Sequence, residues 1–113
     1  MTHEHHIKRG KITPEMNFNE KVWAVTARIP KGKITTYGDI AKALGSPQAS
    51  RAVGNALNKN PYAPQVPCHR VVGCTGDLTG FAGGLNKKRQ LLLEEGITIQ
   101  RNGRASLERR YLP

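Results

Sequence analysis

Acidic residues are scarce in this chain. Eight Asp and Glu stand against 18 Lys and Arg, a formal charge of +10 over 113 residues. That surplus points to nucleic acid or another anionic surface. A strongly amphipathic basic helix is also missing, which argues against a membrane as that surface. No apolar run is long enough to span a bilayer. The start, Met1-Thr2-His3-Glu4-His5-His6, has no apolar leader core, so the expected location is the cytoplasm, or the nucleus where one exists. Cysteine is limited to Cys68 and Cys74. Their spacing makes a poor zinc site, and in a reducing compartment no disulfide is expected. No metal or cofactor is implied, and His3, His5 and His6 read as part of a polar tail. Five glycines lie between Gly73 and Gly84, but the GxxxxGK[ST] phosphate cradle is absent. This stretch is expected to form a pocket wall or lid.

One short stretch is dense in chemistry: Pro67-Cys68-His69-Arg70-Val71-Val72. A thiol reacts as its thiolate and needs a nearby base or positive charge. His69 and Arg70 can supply both. Neighbouring side chains point apart in a strand, so the imidazole reaches the sulfur only if the backbone turns or a water bridges them. Pro67 favours an irregular approach. A carboxylate from elsewhere is needed to orient the imidazole.

The length suggests one domain, mainly α with small β elements. Residues 1–16 read as a loose N-terminal arm, with a short strand around Ile7 to Ile12. Asn17 or Asn19 caps a helix that ends before Pro30, with Trp23 as a core anchor. Ile34-Thr35-Thr36 is extended. Thr36-Tyr37-Gly38-Asp39 resembles a capping box opening a helix to about Leu44, where Gly45 stops it. Ser46 as N-cap and Pro47 as first residue start the next helix, which runs to about Lys59. Its apolar stripe is Ala49, Ala52, Val53, Ala56 and Leu57. Its polar face carries Gln48, Arg51, Asn55, Asn58 and Lys59. Two helices across a tight turn make a helix-turn-helix, with the second as DNA reader. Leu85 to Glu95 forms a further helix stopped by Gly96. Asn102-Gly103 signals a two-residue hairpin.

These residues resemble the O6-alkylguanine-DNA alkyltransferases, or methylated-DNA–protein-cysteine methyltransferases. The likeness runs from about Phe18 to Gly96. It includes Pro67 to Val72, Ile29-Pro30-x-Gly32, Thr36-Tyr37-Gly38, Arg51-Ala52-Val53-Gly54, Asn60-Pro61, Gly83-Gly84 and Leu92 to Gly96. The resemblance implies a winged helix-turn-helix-like domain over 17–113. It also implies an irreversible reaction in which Cys68 takes the alkyl group from O6 of a guanine flipped out of double-stranded DNA. On this likeness His69 is the base, acting through a water, and Glu95 orients it. Tyr37 contacts the target nucleotide and protonates the leaving guanine. Arg51 fills the gap in the duplex, beside Gln48 and Asn55 on the DNA-reading face. Asn60 braces the turn under the site, and Arg70 is structural. Backbone groups of Cys68, Val71 and Ala82 meet the guanine edge. A monomer is expected. The chain departs from the family pattern at Phe81 and Ala82.

Two other readings compete. Related alkyltransferase-like proteins bind the lesion and flag it without transfer, carrying a residue such as tryptophan where Cys68 stands. A Cys-His thiol hydrolase is the third, but no oxyanion-hole pattern is evident.

Overall fold

A computed structural model describes residues 3–79 and 84–113. The regular structure of the described residues is mainly helical: α1 (His3–Lys8), α2 (Phe18–Thr26), α3 (Tyr37–Ala43), α4 (Ser50–Asn58) and α5 (Leu85–Glu94). Two-residue strands, β1 (Thr35–Thr36) and β2 (Val71–Val72), pair in parallel, Thr35 with Val71 and Thr36 with Val72. Among the described residues no helix is long and apolar enough to cross a membrane.

The helix starts follow local chemistry. Asn17 caps α2 reciprocally with Glu20, and Thr36 caps α3 reciprocally with Asp39. In each, a side-chain oxygen satisfies the third backbone N–H while the third residue's carboxylate returns to the cap. Helix α3 ends in a Schellman motif: Gly45 N donates to Lys42 O and Ser46 N to Ala41 O, both at 2.9 Å. Ser46 is therefore engaged in closing α3 and does not cap the next helix. The chain turns through 46–49, and α4 begins at Ser50 after Ala49, with no side-chain cap. The helix starts later than its Ser-Pro signal suggests, so Gln48 lies in the turn. Val53, Ala56 and Leu57 face inward as expected, whereas Ala52 is exposed.

Helices α2, α3 and α4 pack around Val22, Val25, Ile29, Ile40, Val53 and Leu57. Trp23 ties α2 to α4 through an Nε1–H bond to Ala56 O at 2.8 Å. A second cluster joins Ile34, Val72, Leu92, Ile97 and Ala105. The parallel β1–β2 pair lies between the two, and a parallel pair requires a long crossover. Here the crossover is the helix-turn-helix itself. Consequently Tyr37 follows β1 directly while Cys68-His69-Arg70 precedes β2 directly.

Two terminal expectations are corrected. The N-terminal segment is neither loose nor a strand. It forms α1, whose Ile7 is fully buried with Met16, Ala24 and Val66. His3 Nδ1 meets Glu20 Oε2 at 2.8 Å, fastening this helix to α2. A single apolar anchor within a polar hexapeptide carries too little periodicity to announce a helix. At the other end, Ile99 and Ala105 bridge in antiparallel fashion. The closing pair is Gln100 and Arg104, whose N–H to O bond leaves a loop of three residues, 101–103, with Gly103 at φ +86°. A three-residue loop with a left-handed glycine replaces the two-residue turn.

Candidate active site and nucleic-acid interface

The Cys68–Arg70 segment is one turn of 3-10 helix between Pro67 and β2. Arg70 N closes it on Pro67 O at 2.9 Å. The backbone at the Cys-His pair is therefore turned rather than extended. Asn60 supports the segment from below: its Nδ2 donates to Val66 O and its Oδ1 accepts from Tyr62 N, each at 2.9 Å. Cys68 is half-buried and His69 is buried.

Glu95 is the carboxylate that the imidazole requires. Its Oε2 lies 2.9 Å from His69 Nε2, while Arg70 donates Nε to Oε1 at 2.8 Å and Nη2 to Oε2 at 2.9 Å. The third Arg70 arm, Nη1, bonds Ile29 O at 2.8 Å. Glu95 can reach them because it is the C-cap of α5, held by a second Schellman motif through Gly96 and Ile97. Burial would raise the Glu95 pKa, but the bonds from Arg70 and His69 outweigh it and hold the carboxyl below its usual range. Burial lowers the His69 pKa, and the opposing pull of Glu95 does not restore it. At neutral pH the ring is thus uncharged. With Glu95 ionised, the Nε2 proton points to the carboxylate and Nδ1 is the basic nitrogen.

Tyr37 packs against the same core cluster as Cys68. Its hydroxyl donates to Thr79 O at 2.9 Å. Burial raises its pKa by more than the bond to Thr79 lowers it, and the neighbouring Cys68 adds to the rise. Tyr37 also lines a cavity of about 510 Å³ with Gly38, Ser50, Arg51, Gly54, Asn55, Asn58, Cys74 and Thr79. The exposed face of α4 forms one wall, so Arg51 and Asn55 open onto the same space as Tyr37. Gln48 lies apart, in the turn before α4, against Ser46, Pro47 and Ala49.

Residues 17–97 match the family described as "6-O-methylguanine DNA methyltransferase, DNA binding domain". The chain belongs to this family. The methylated-DNA–protein-cysteine methyltransferase of Methanosarcina acetivorans is 54% identical over 87 residues, 76% of this chain and 56% of its own length. The Escherichia coli DNA base-flipping protein is 41% identical over 99 residues, covering 88% of this chain and 77% of that protein. The crystal structure of Schizosaccharomyces pombe Atl1 with damaged DNA containing O6-carboxymethylguanine superposes with a TM-score of 0.72 at 34% identity. That match covers 85% of this chain and 95% of Atl1. The chain thus spans only about half the length of the methyltransferase it matches.

Ala82 lies outside the described residues. One buried residue went unread in the sequence. Lys88 on α5 is 1% exposed, and its Nζ donates to Val71 O at 2.5 Å and Thr79 O at 2.7 Å. It also reaches the Tyr37 hydroxyl at 3.5 Å. Burial lowers its pKa to about 8, against a raising pull from Cys68. Its signal was positional: Lys88 stands four residues before buried Leu92, on the inward stripe of α5.

Proposed function

We propose that this chain repairs double-stranded DNA by transferring an alkyl group from O6 of guanine to Cys68, irreversibly and as a monomer. The observation that carries this reading is the Glu95–His69 pair beside Cys68, an uncharged imidazole oriented by an ionised carboxylate. His69 takes the thiol proton through a water, and the thiolate attacks the alkyl carbon. The sulfur–carbon bond forms as the carbon–O6 bond breaks. The electron pair leaves with guanine, and Tyr37 supplies the proton that neutralises it. The target base must first leave the stack, since O6 is out of reach inside a duplex. Arg51 fills the vacated space, while Gln48 and Asn55 meet the DNA near it.

The Cys68 and Val71 backbone groups take the guanine edge, together with Ala82. The Val71 carbonyl already accepts from Lys88, but a carbonyl has two lone pairs and can accept again. Asn60 keeps the turn in place. The cytoplasm, or the nucleus of a eukaryote, is the compartment that fits a reduced thiol and a DNA substrate.

A second reading is favoured by the likeness to Atl1 and to the base-flipping protein. In it the chain binds the lesion without accepting the alkyl group. Mass spectrometry after mixing with an O6-methylguanine duplex separates the two. Transfer adds one methyl mass to the Cys68 peptide and vanishes in Cys68→Ala. Tight lesion binding with an unmodified thiol overturns transfer and leaves lesion recognition.

A further inference from the structure

The placement of Tyr37 depends on the far end of the chain. Tyr37 is the first residue of α3, and the cap of that helix is closed by Asp39, which accepts from Thr36 N at 3.2 Å and Thr35 Oγ1 at 3.3 Å. Asp39 is only 5% exposed. A buried carboxylate needs a cation, and it receives one from a residue 71 positions later. Arg110 donates Nε to Oδ2 at 2.8 Å and Nη2 to Oδ1 at 2.7 Å. The fork is geometrically specific, unlike a single-point surface pair. The backbone around it is also anchored. Ile34 N bonds Arg109 O at 3.0 Å and Tyr111 N bonds Ile34 O at 2.6 Å, a parallel bridge at the entrance to β1. Tyr111 packs against the main core. The segment from Ile34 to Asp39 is thereby gripped at both ends by residues 109–111, and Tyr37 lies inside the grip.

We propose that Arg110 is a positioning residue for Tyr37: the C-terminal segment locks the α3 cap and so aims the tyrosine hydroxyl. The inference rests on the transfer reading for its kinetic arm only. The pair is charged in the folded state, because the bonds from Arg110 and Thr36 outweigh burial and keep Asp39 below its usual range. A guanidinium matches both carboxylate oxygens, whereas lysine offers a point charge.

The test is single-turnover transfer from an O6-methylguanine duplex, measured for wild type, Arg110→Ala, Arg110→Lys, Tyr37→Phe and Tyr37→Phe with Arg110→Ala. Arg110→Ala is expected to lower the rate at saturating DNA by roughly tenfold, as small misplacements of a reacting group do, with affinity nearly unchanged. Arg110→Lys recovers part of the loss and stands in if Arg110→Ala does not fold. In the Tyr37→Phe background Arg110→Ala costs nothing further, as expected when one residue acts through the other. An equal fold-loss in both backgrounds, or no loss in either Arg110 variant, overturns the proposal. A second arm is independent of chemistry: 13Cζ-tyrosine NMR of the free protein, with Tyr37 assigned by its loss in Tyr37→Phe. The Tyr37 resonance is expected to shift in the Arg110 variants. If wild type leaves the duplex alkylated, the transfer reading fails, and an unmoved resonance then overturns the positioning role as well.

Discussion

The Lys88 ammonium donates to the Val71 carbonyl at 2.5 Å, in a place where the lysine is 1% exposed. The same ammonium reaches Thr79 O, which also accepts from Tyr37. One buried charge thus joins β2, the loop after it and the tyrosine near Cys68.

Opposite pH trends in activity and stability follow from that charge. His69, lowered from 6.5, must be uncharged to accept a proton, so the transfer rate falls with acid only below pH 6.5. Lys88 loses its charge above about 8, and the rate is expected to decline there as the carbonyl clamp and the thiolate's counter-charge go. Stability runs the other way. The unfolded lysine titrates near 10.5 and the folded one near 8, so between these values the unfolded chain binds more protons and stability rises with pH. Lys88→Met is expected to remove both the alkaline rate decline and the stability gain. Stopped-time transfer assays and urea midpoints on both sides of the folded value of about 8 check both.

Glu95→Gln is expected to damage the fold as well as the chemistry. Glu95 satisfies the Arg70 guanidinium through two hydrogen bonds, with the Arg70 side chain 15% and the Glu95 side chain 10% exposed. Removing the carboxylate leaves that guanidinium without its counter-ion at a cost of about 3–5 kcal/mol. Since the folded Glu95 pKa is depressed, this stability is present above pH 4.5 and lost as pH falls through the lower folded value. The difference in urea unfolding between wild type and Glu95→Gln should therefore shrink on acidification. A difference that stays constant with pH counts against the ion pair.

How much of this could be read from residues alone depends on the length over which each feature is encoded. The capping boxes at Asn17–Glu20 and Thr36–Asp39 are four-residue signals, and both appear in the fold. Glu95 needs only the glycine that follows it to be placed at a helix end. Its distance of 26 positions from His69 is invisible locally and came through the family resemblance. Ser46 misled because two chemistries compete for it, a cap for α4 and the close of α3, and only tertiary packing decides. Ile7 and Lys88 break the usual polarity rules. One is an anchor in a polar segment, the other a cation on a buried stripe whose carbonyl partners lie 9 and 17 positions away. The Arg110–Asp39 fork spans 71 positions and leaves no local trace.

The N-terminal helix is expected to contribute measurable stability. Ile7 is completely buried beside Val66, two positions before Cys68, and Tyr62 borders the same cluster. Ile7→Ala should cost about 2–5 kcal/mol through lost burial and the cavity left behind. Chemical denaturation measures it directly. A change within about 0.5 kcal/mol, the range of ordinary surface substitutions, would show that α1 is not seated on the core.

Substitution of Arg51 is expected to separate duplex handling from chemistry. It is exposed on α4 and opens onto the cavity that Tyr37 lines, while His69, Glu95 and Arg70 form a separate hydrogen-bonded group. Extruding a base costs a few kcal/mol, less when the strand is already single. A side chain that fills the gap offsets part of that cost only in a duplex. Arg51→Ala is therefore expected to slow transfer from duplex O6-methylguanine by about tenfold, equivalent to about 1.4 kcal/mol. Transfer from the free modified base should be nearly unchanged, since no stack has to be opened. The ratio of the two rates, measured at one salt concentration because phosphate contacts depend on it, is the relevant readout. A matching loss on duplex and free base would move Arg51 from the DNA interface into the support of the reacting groups.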